Sequence, residues 1–260
     1  MAILSPAKTM DMGETQLVSA TSRPRLGSQT KQLAAVLESY TPKRLSSLMS
    51  ISDKLAQLNA KRWDQFGAKA NQRGAAALCF RGDVYQGFEA WSLDKRSLGW
   101  AQDHIRILSG LYGMLRPMDV IQPYRLEMGT RLKTDAGKSL YEFWGDAITK
   151  ILLRDLKAVK ATTLVNLASD EYFKAVDEEK LGVPIVNVKF LQRDGRQDKF
   201  ISFFAKRARG LMARWMSIAR VKKVKDLAGF DLEGYRLDAK AGSEFELIFK
   251  RPKPAAKQAS

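Results

Sequence analysis

Gly110-Leu111-Tyr112-Gly113 is the segment whose residue types and spacing point most directly to chemistry. Two glycines bracket two apolar residues, with an apolar run before them and Arg116 after. Glycine reaches positive φ without Cβ strain, so the pair permits a sharp turn and close approach to another molecule. The flanking pattern predicts a tight hairpin between two short helices. Backbone N–H groups at such a turn, beside a helix N-terminus, can hold a phosphate. Gly110, Leu111, Tyr112, Gly113 and Arg116 are therefore candidates for a hairpin that grips a nucleic-acid backbone. The same spacing serves plain packing or a helix C-cap, so both readings stand at this point.

A second basic element runs from Lys206 to Arg220. Helical periodicity puts Leu211, Trp215 and Ile218 on one stripe, Lys206, Arg209 and Arg220 opposite, and Arg207 and Arg214 at its flanks. Lys222, Lys223 and Lys225 extend the run, and no acid occurs from 206 to 225. A solvated face ordinarily mixes signs, so anion binding is favoured over simple solvation.

Five further segments are dense in small polar and charged residues: Ser5–Thr9, Ser52–Lys54, Phe80–Tyr85, Gln122–Gly129 and Asn166–Lys174. Several follow apolar strands, as functional loops at a sheet end do. Lys8 and Lys54 suit phosphate contacts, and Arg81 and Arg125 suit bidentate clamping of a phosphate or carboxylate. Each arginine can instead pair internally with Asp83, Glu127, Asp170 or Glu171. Lys8, Lys54, Arg81, Arg125 and Lys174, with Lys206, Arg207, Arg209 and Arg214, form the candidate anion-binding cleft.

No catalytic residue is assigned. His104, the only histidine, lies on the helix expected before the hairpin, where a structural role is the simpler reading. One histidine and one cysteine cannot make a Cys/His zinc site, and no EF-hand loop is present. Any Ser-His-Asp or Cys-His scheme would have to use His104. Asp83, Asp170 and Glu171 are available for acid–base work, but spacing alone does not select among them. Neither a cofactor nor a metal is expected.

The elements that would position these groups are mixed. Residues 28–40 predict a helix with Leu33, Val36, Leu37 and Tyr40 on one face. Thr41-Pro42 offers an N-cap and an N1 proline for a second. Ser52 caps a third that carries Leu55, Leu58 and Trp63. Residues 76–81 read as a buried strand ending at Gly82-Asp83. Ser139 and Glu142 form a capping box that opens one amphipathic helix through Leu152. Strands are expected over 162–168 and 184–191, with Asp194-Gly195 turning the chain back through 199–204, and a late strand over 244–250. Trp63, Trp144 and Trp215 are expected in the core. The fold class is α/β (mixed α+β), a mixed sheet flanked by helices, with no Gly-x-Gly-x-x-Gly or Walker A sequence.

At 260 residues the chain suits one domain, taken as 1–251, with a basic Pro/Ala-rich tail over 252–260 that is expected to be disordered. Lys and Arg number 44 against 28 Asp and Glu, a net charge of +16 that draws anionic partners. Nucleic acid leads; anionic lipid or a phosphorylated or carboxylated small substrate is the alternative. Cys79 alone allows no intrachain disulfide, which fits a reducing cytoplasm. No signal peptide or membrane span is expected, and the protein is expected to act as a monomer.

Taken together, these segments resemble the YaaA family of bacterial peroxide-stress proteins. The resemblance runs from about Met1 to Arg251 and includes Ser52–Ala56, Arg81–Tyr85, Leu108–Pro117, Tyr141–Asp146, Asn166–Lys174 and Phe204–Arg214. It implies a cytosolic protein of the hydrogen peroxide response that limits free iron and oxidative DNA damage. It also implies a family-specific α/β fold with a positively charged cleft, a helix-hairpin-helix element and binding to double-stranded DNA. Carried onto this chain, that element is Gly110–Gly113 with Arg116 beside it. The leading expectation is thus a non-enzymatic, sequence-independent DNA binder. An enzyme acting on a nucleotide or other anionic substrate is the alternative, with iron sequestration by Asp170 and Glu171 third.

Overall fold

Ala2–Leu4 (β1) is wholly buried and lies within an eight-stranded sheet in the computed structural model, which describes residues 1–13 and 21–253. On one side β1 pairs in parallel with Ile105–Ser109 (β2), which turns back antiparallel as Gly113–Leu115 (β3). On the other it pairs in parallel with Leu164–Leu167 (β4), and β4 in turn with Ile185–Asp194 (β5). Gln197–Lys199 (β6) folds back on the end of β5. Arg236–Ser243 (β7) and Glu246–Pro252 (β8) complete the sheet, β8 parallel to β5 and β7 antiparallel to β8. The order is β7-β8-β5-β4-β1-β2-β3. The short apolar strands β1, β2 and β4 are buried at every position because both faces are covered. β5 alternates, with Val186, Val188 and Phe190 turned into the core.

The helices are Gly27–Glu38 (α1), Pro42–Met49 (α2), Asp53–Asp64 (α3), Asp83–Phe88 (α4), Lys95–His104 (α5), Leu140–Trp144 (α6), Ala147–Ala158 (α7), Asp170–Phe173 (α8), Glu178–Leu181 (α9) and Ser202–Ala219 (α10). Thr41 caps α2 as its sequence predicts, accepting from the Arg44 amide. α4 and α10 cross with their backbones in contact at Gly87 and Gly210. A Cβ on Gly210 would lie 1.7 Å from the Val84 carbonyl oxygen, and one on Gly87 2.2 Å from that of Arg207.

Five expectations are corrected. The helix opened by Ser139 breaks at Gly145, whose φ of 45° ends α6 before α7 begins. Residues 76–80 are buried but begin with a helical turn, Ala76–Cys79, before the short strand Phe80–Arg81, whose Arg81 is partly exposed. Only Gln197–Lys199 returns against β5, because α10 begins at Ser202. The buried stripe of α10 runs through Ala205, Ala208, Met212 and Met216, while Ile218 is exposed. Pro252 belongs to β8 and the Lys253 amide donates to Arg193, so the expected tail does not start at 252; residues 254–260 lie outside the described part.

Candidate anion-binding site

The glycine hairpin is not flanked by two helices. Gly110–Tyr112 is the three-residue turn of the β2–β3 hairpin, and Gly113 adopts the positive φ, 68°, that closes such turns. Gly110, Leu111, Tyr112 and Gly113 are all buried. A Cβ on Gly110 would meet the Leu126 carbonyl oxygen at 2.4 Å, so this glycine serves close packing. The Gly110 carbonyl accepts from Trp144 Nε1 (2.9 Å) and the Tyr112 amide donates to Ser109 Oγ (3.0 Å). Arg116 is held by buried Asp119 at 2.9 Å. The hairpin is a core element and presents no surface to a phosphate backbone.

The sheet order creates the site instead. The chain leaves β1 toward β2 on one side, whereas β4, packed against the other side of β1, feeds β5 in the opposite direction. The loops after β1 and β4 diverge, and open α/β sheets bind ligands in the crevice at that switch point. Ser5 follows β1 and Ser169 follows β4. The Ser169 amide donates to Ser5 Oγ at 2.9 Å, and the two hydroxyls lie 3.2 Å apart. The fully buried Tyr85 donates its hydroxyl to the Ser5 carbonyl (3.1 Å), tying α4 to the same loop.

A cleft of about 240 Å³ opens there. Lys8, Arg81, Lys206 and Arg209 line it against two acids, Asp83 and Glu171. The cations differ in freedom. Lys8 pairs with Glu127 at 2.6 Å. Arg81 donates to the Leu78 carbonyl at 2.6 Å, pairs with Asp11 at 3.3 Å and stacks on Trp91. Arg209 is half-buried and, among the described residues, has no hydrogen-bonded or ion-paired partner. Burial lowers its pKa, and the nearby charge of Asp170 works against that shift.

The other expected cleft residues lie elsewhere. Arg125 pairs with Glu127 at 3.2 Å, as the internal alternative foresaw. Arg207 is held by Glu233 at 2.6 Å, and Arg214 donates to the Glu89 carbonyl at 3.0 Å and to Ser92 Oγ at 2.8 Å. Lys174 lies over the Tyr141 ring. Sequence reading assigned no role to Ser5 and Ser169; the available signal was a serine within two residues of the end of each of two short apolar strands.

Lys54 belongs to a different feature. α2 and α3 pack on each other around a three-residue turn, in which Ser50 takes φ 51° and ψ 51°, Ile51 is buried, and Ser52 opens α3. Ser52 makes no side-chain cap bond, so the first-turn amides of α3 face solvent. Ser50, Ser52, Asp53 and Lys54 are all exposed at this tip, and Lys43 and Arg44 are exposed in the first turn of α2, at its other end.

His104 ends α5, stacks on Trp100 at 4.4 Å and is bonded through Nδ1 to the Trp100 carbonyl, a structural placement. Cys79 is fully buried, and burial pushes its thiol up to about 11 although Arg81 pulls it down. Peroxide attacks the thiolate. Native protein exposed to hydrogen peroxide and dimedone should therefore show no adduct at Cys79 by mass spectrometry, and urea-unfolded protein should label. Among the described residues, no three His, Cys, Asp or Glu side chains gather to hold a metal ion. No helix there is long and apolar enough to cross a membrane.

A family model described as peroxide stress protein YaaA matches residues 1–241. A UPF0246 protein of Phenylobacterium zucineum (strain HLK1) is 46% identical over 260 residues, covering 100% of this chain and 98% of its own. A UPF0246 protein of Janthinobacterium sp. (strain Marseille) is 46% identical over 96% of this chain and 98% of its own. That of Caulobacter vibrioides (strain NA1000 / CB15N) is 45% identical over 98% of this chain and all of its own length. With a near full-length model match and relatives collinear from end to end, the chain belongs to the YaaA family of peroxide stress proteins.

Proposed function

We propose that this protein binds double-stranded DNA through the phosphate backbone, without strong sequence preference, and thereby helps limit iron-dependent oxidative damage in peroxide stress. The observation that carries the reading is the exposed α2–α3 tip. Open first-turn amides at the start of α3 stand beside Lys54, with Lys43 adding charge from the far end of α2, and a helix N-terminus of this kind suits a backbone phosphate. The role expected of Gly110–Gly113 passes to Ser50–Lys54. The net charge of +16 supplies the long-range attraction, to which Lys206, Lys222, Lys223 and Lys225 contribute.

The test is fluorescence anisotropy of a short labelled duplex across a salt series. Affinity should fall steeply between about 50 and 200 mM salt. The Lys43→Ala/Lys54→Ala double variant should bind several-fold more weakly on every duplex sequence, with a salt slope shallower by about one per lysine. Unchanged affinity in the folded double variant would sink the assignment. In a plasmid-nicking assay with Fe(II) and hydrogen peroxide, wild-type protein should protect the supercoiled form and the double variant should protect it less.

A further inference from the structure

Arg209 is the side chain whose position the DNA reading leaves unused. It is half-buried, it has no partner among the described residues, and it lines two clefts at once. The first is the switch-point crevice with Ser5, Ser169 and Lys206. The second, about 640 Å³, lies beyond the end of β4 along the middle of β5 and is lined by Asn166, Asp170, Lys189 and Phe200, with Glu178 and Glu246 also on its wall. Moving a guanidinium out of water with no hydrogen-bonded acceptor is costly, the nearby charge of Asp170 only partly offsets that cost, and an anion seated on the guanidinium would complete it. The smaller space suits a phosphate and the larger a nucleoside. Asp170 makes no hydrogen bond through its carboxylate to a described residue, so it can accept from sugar hydroxyls. Phe200 is 60% exposed at the rim, a flat apolar face open for stacking.

We propose that this double cleft binds a free nucleoside monophosphate. Its phosphate sits on Arg209, Lys206 and the Ser5 and Ser169 hydroxyls, its ribose lies near Asp170, and its base lies against Phe200. The ligand chemistry, a phosphate ester carrying a flat base, is shared with DNA. What favours the free nucleotide is size: a cleft of about 240 Å³ walled by the β1 and β4 loops and α4 takes a single terminal phosphate.

Calorimetric titration of the full chain with AMP, ribose 5-phosphate and inorganic phosphate tests the proposal. AMP should bind more tightly than ribose 5-phosphate, and phosphate most weakly. Arg209→Gln should weaken AMP about tenfold or more while leaving the thermal midpoint unchanged or raised, since it removes a desolvated charge whose donors have no hydrogen-bonded partner among the described residues. Phe200→Ala, which alters only an exposed ring, should weaken AMP and spare ribose 5-phosphate. Equal binding of phosphate and AMP would overturn the nucleoside assignment. No AMP binding at millimolar ligand, or an Arg209→Gln variant that melts lower and still binds AMP, would overturn the site. Duplex DNA separates the two readings. Arg209→Gln should keep wild-type duplex affinity, whereas duplex loss without any AMP binding would make Arg209 part of the DNA path and overturn the proposal. A Lys43→Ala/Lys54→Ala variant with undiminished duplex affinity would overturn the DNA reading while leaving AMP binding intact.

Discussion

Gly210→Ala should cost the fold about 3 kcal/mol or more in urea denaturation, although in an isolated helix the same change is worth nearly 1 kcal/mol in stability. The added methyl would stand 1.7 Å from the Val84 carbonyl oxygen and 2.7 Å from the Phe88 amide nitrogen, both backbone atoms of α4 that no rotamer change can clear. α4 and α10 must then separate along their crossing. Gly87→Ala creates the reciprocal clash, 2.2 Å to the Arg207 carbonyl oxygen and 2.8 Å to the Leu211 amide nitrogen. The two effects should be less than additive, because helices already parted for one methyl make room for the second. Gly99→Ala is the control: it lies in α5 with nothing within 4 Å of its Cβ and should stabilise by about 0.5–1 kcal/mol. The crossing also sets the cleft. α4 begins at Asp83 and α10 carries Lys206 and Arg209, so parting them moves opposite walls of the switch-point crevice. A Gly210→Ala protein as stable as wild type would show that the crossing yields easily.

What the sequence disclosed and what it concealed follow from the range of the forces involved. The start of α2 was legible to the residue because Thr41-Pro42 is a local cap, and β4 and β5 were legible because β-branched runs bury in a sheet. The same local reading misplaced Gly110–Gly113. Glycine spacing records that a turn is tight and closely packed, but not whether helices or strands enter it, and here Leu126 and Trp144 close over it. The sequence marks Leu55, Leu58 and Trp63 as the apolar residues of α3 without telling which of them face inward; α3 buries Ala56, Asn59 and Trp63 and leaves both leucines exposed, a face set by its packing on α1 and α2. Basic residues were equally visible in sequence, but pairing was not. Arg207 and Arg209 stand two apart on one helix, one bound to Glu233 and the other unpartnered among the described residues, because the partners come from distant segments. The switch point is a property of strand order, so nothing within the Ser5 or Ser169 loop alone discloses it.

Asp155→Ala should be the most damaging single change remote from both clefts, costing about 3–5 kcal/mol. Asp155 on α7 is buried and accepts from two arginines: both terminal nitrogens of Arg25, one of them at 2.7 Å, and Nε of Arg106. Arg106 sits in β2, only 4% exposed, and its Nη1 donates to the Gln102 and Ile105 carbonyls. Without Asp155 its charge has no counterion and no route to water. Arg25 is partly exposed and can turn to solvent, so Arg25→Ala should cost less than Asp155→Ala. Acid supplies a second readout. Burial alone would push the Asp155 carboxyl up, but hydrogen bonds from Arg25 and Arg106 outweigh it and hold the pKa below the ordinary value. A depressed folded pKa means that the stability is fully present above the unfolded value, about 3.9, and drains away as pH falls through the folded one. Wild-type urea midpoints should therefore drop below about pH 4, and Asp155→Asn, less stable at neutral pH, should show a shallower acid loss. Equal acid sensitivity in the two proteins would place the acid-labile contribution in other carboxylates, and a loss under about 1 kcal/mol in Asp155→Ala would mean that β2 and α7 are held together by their apolar contacts alone.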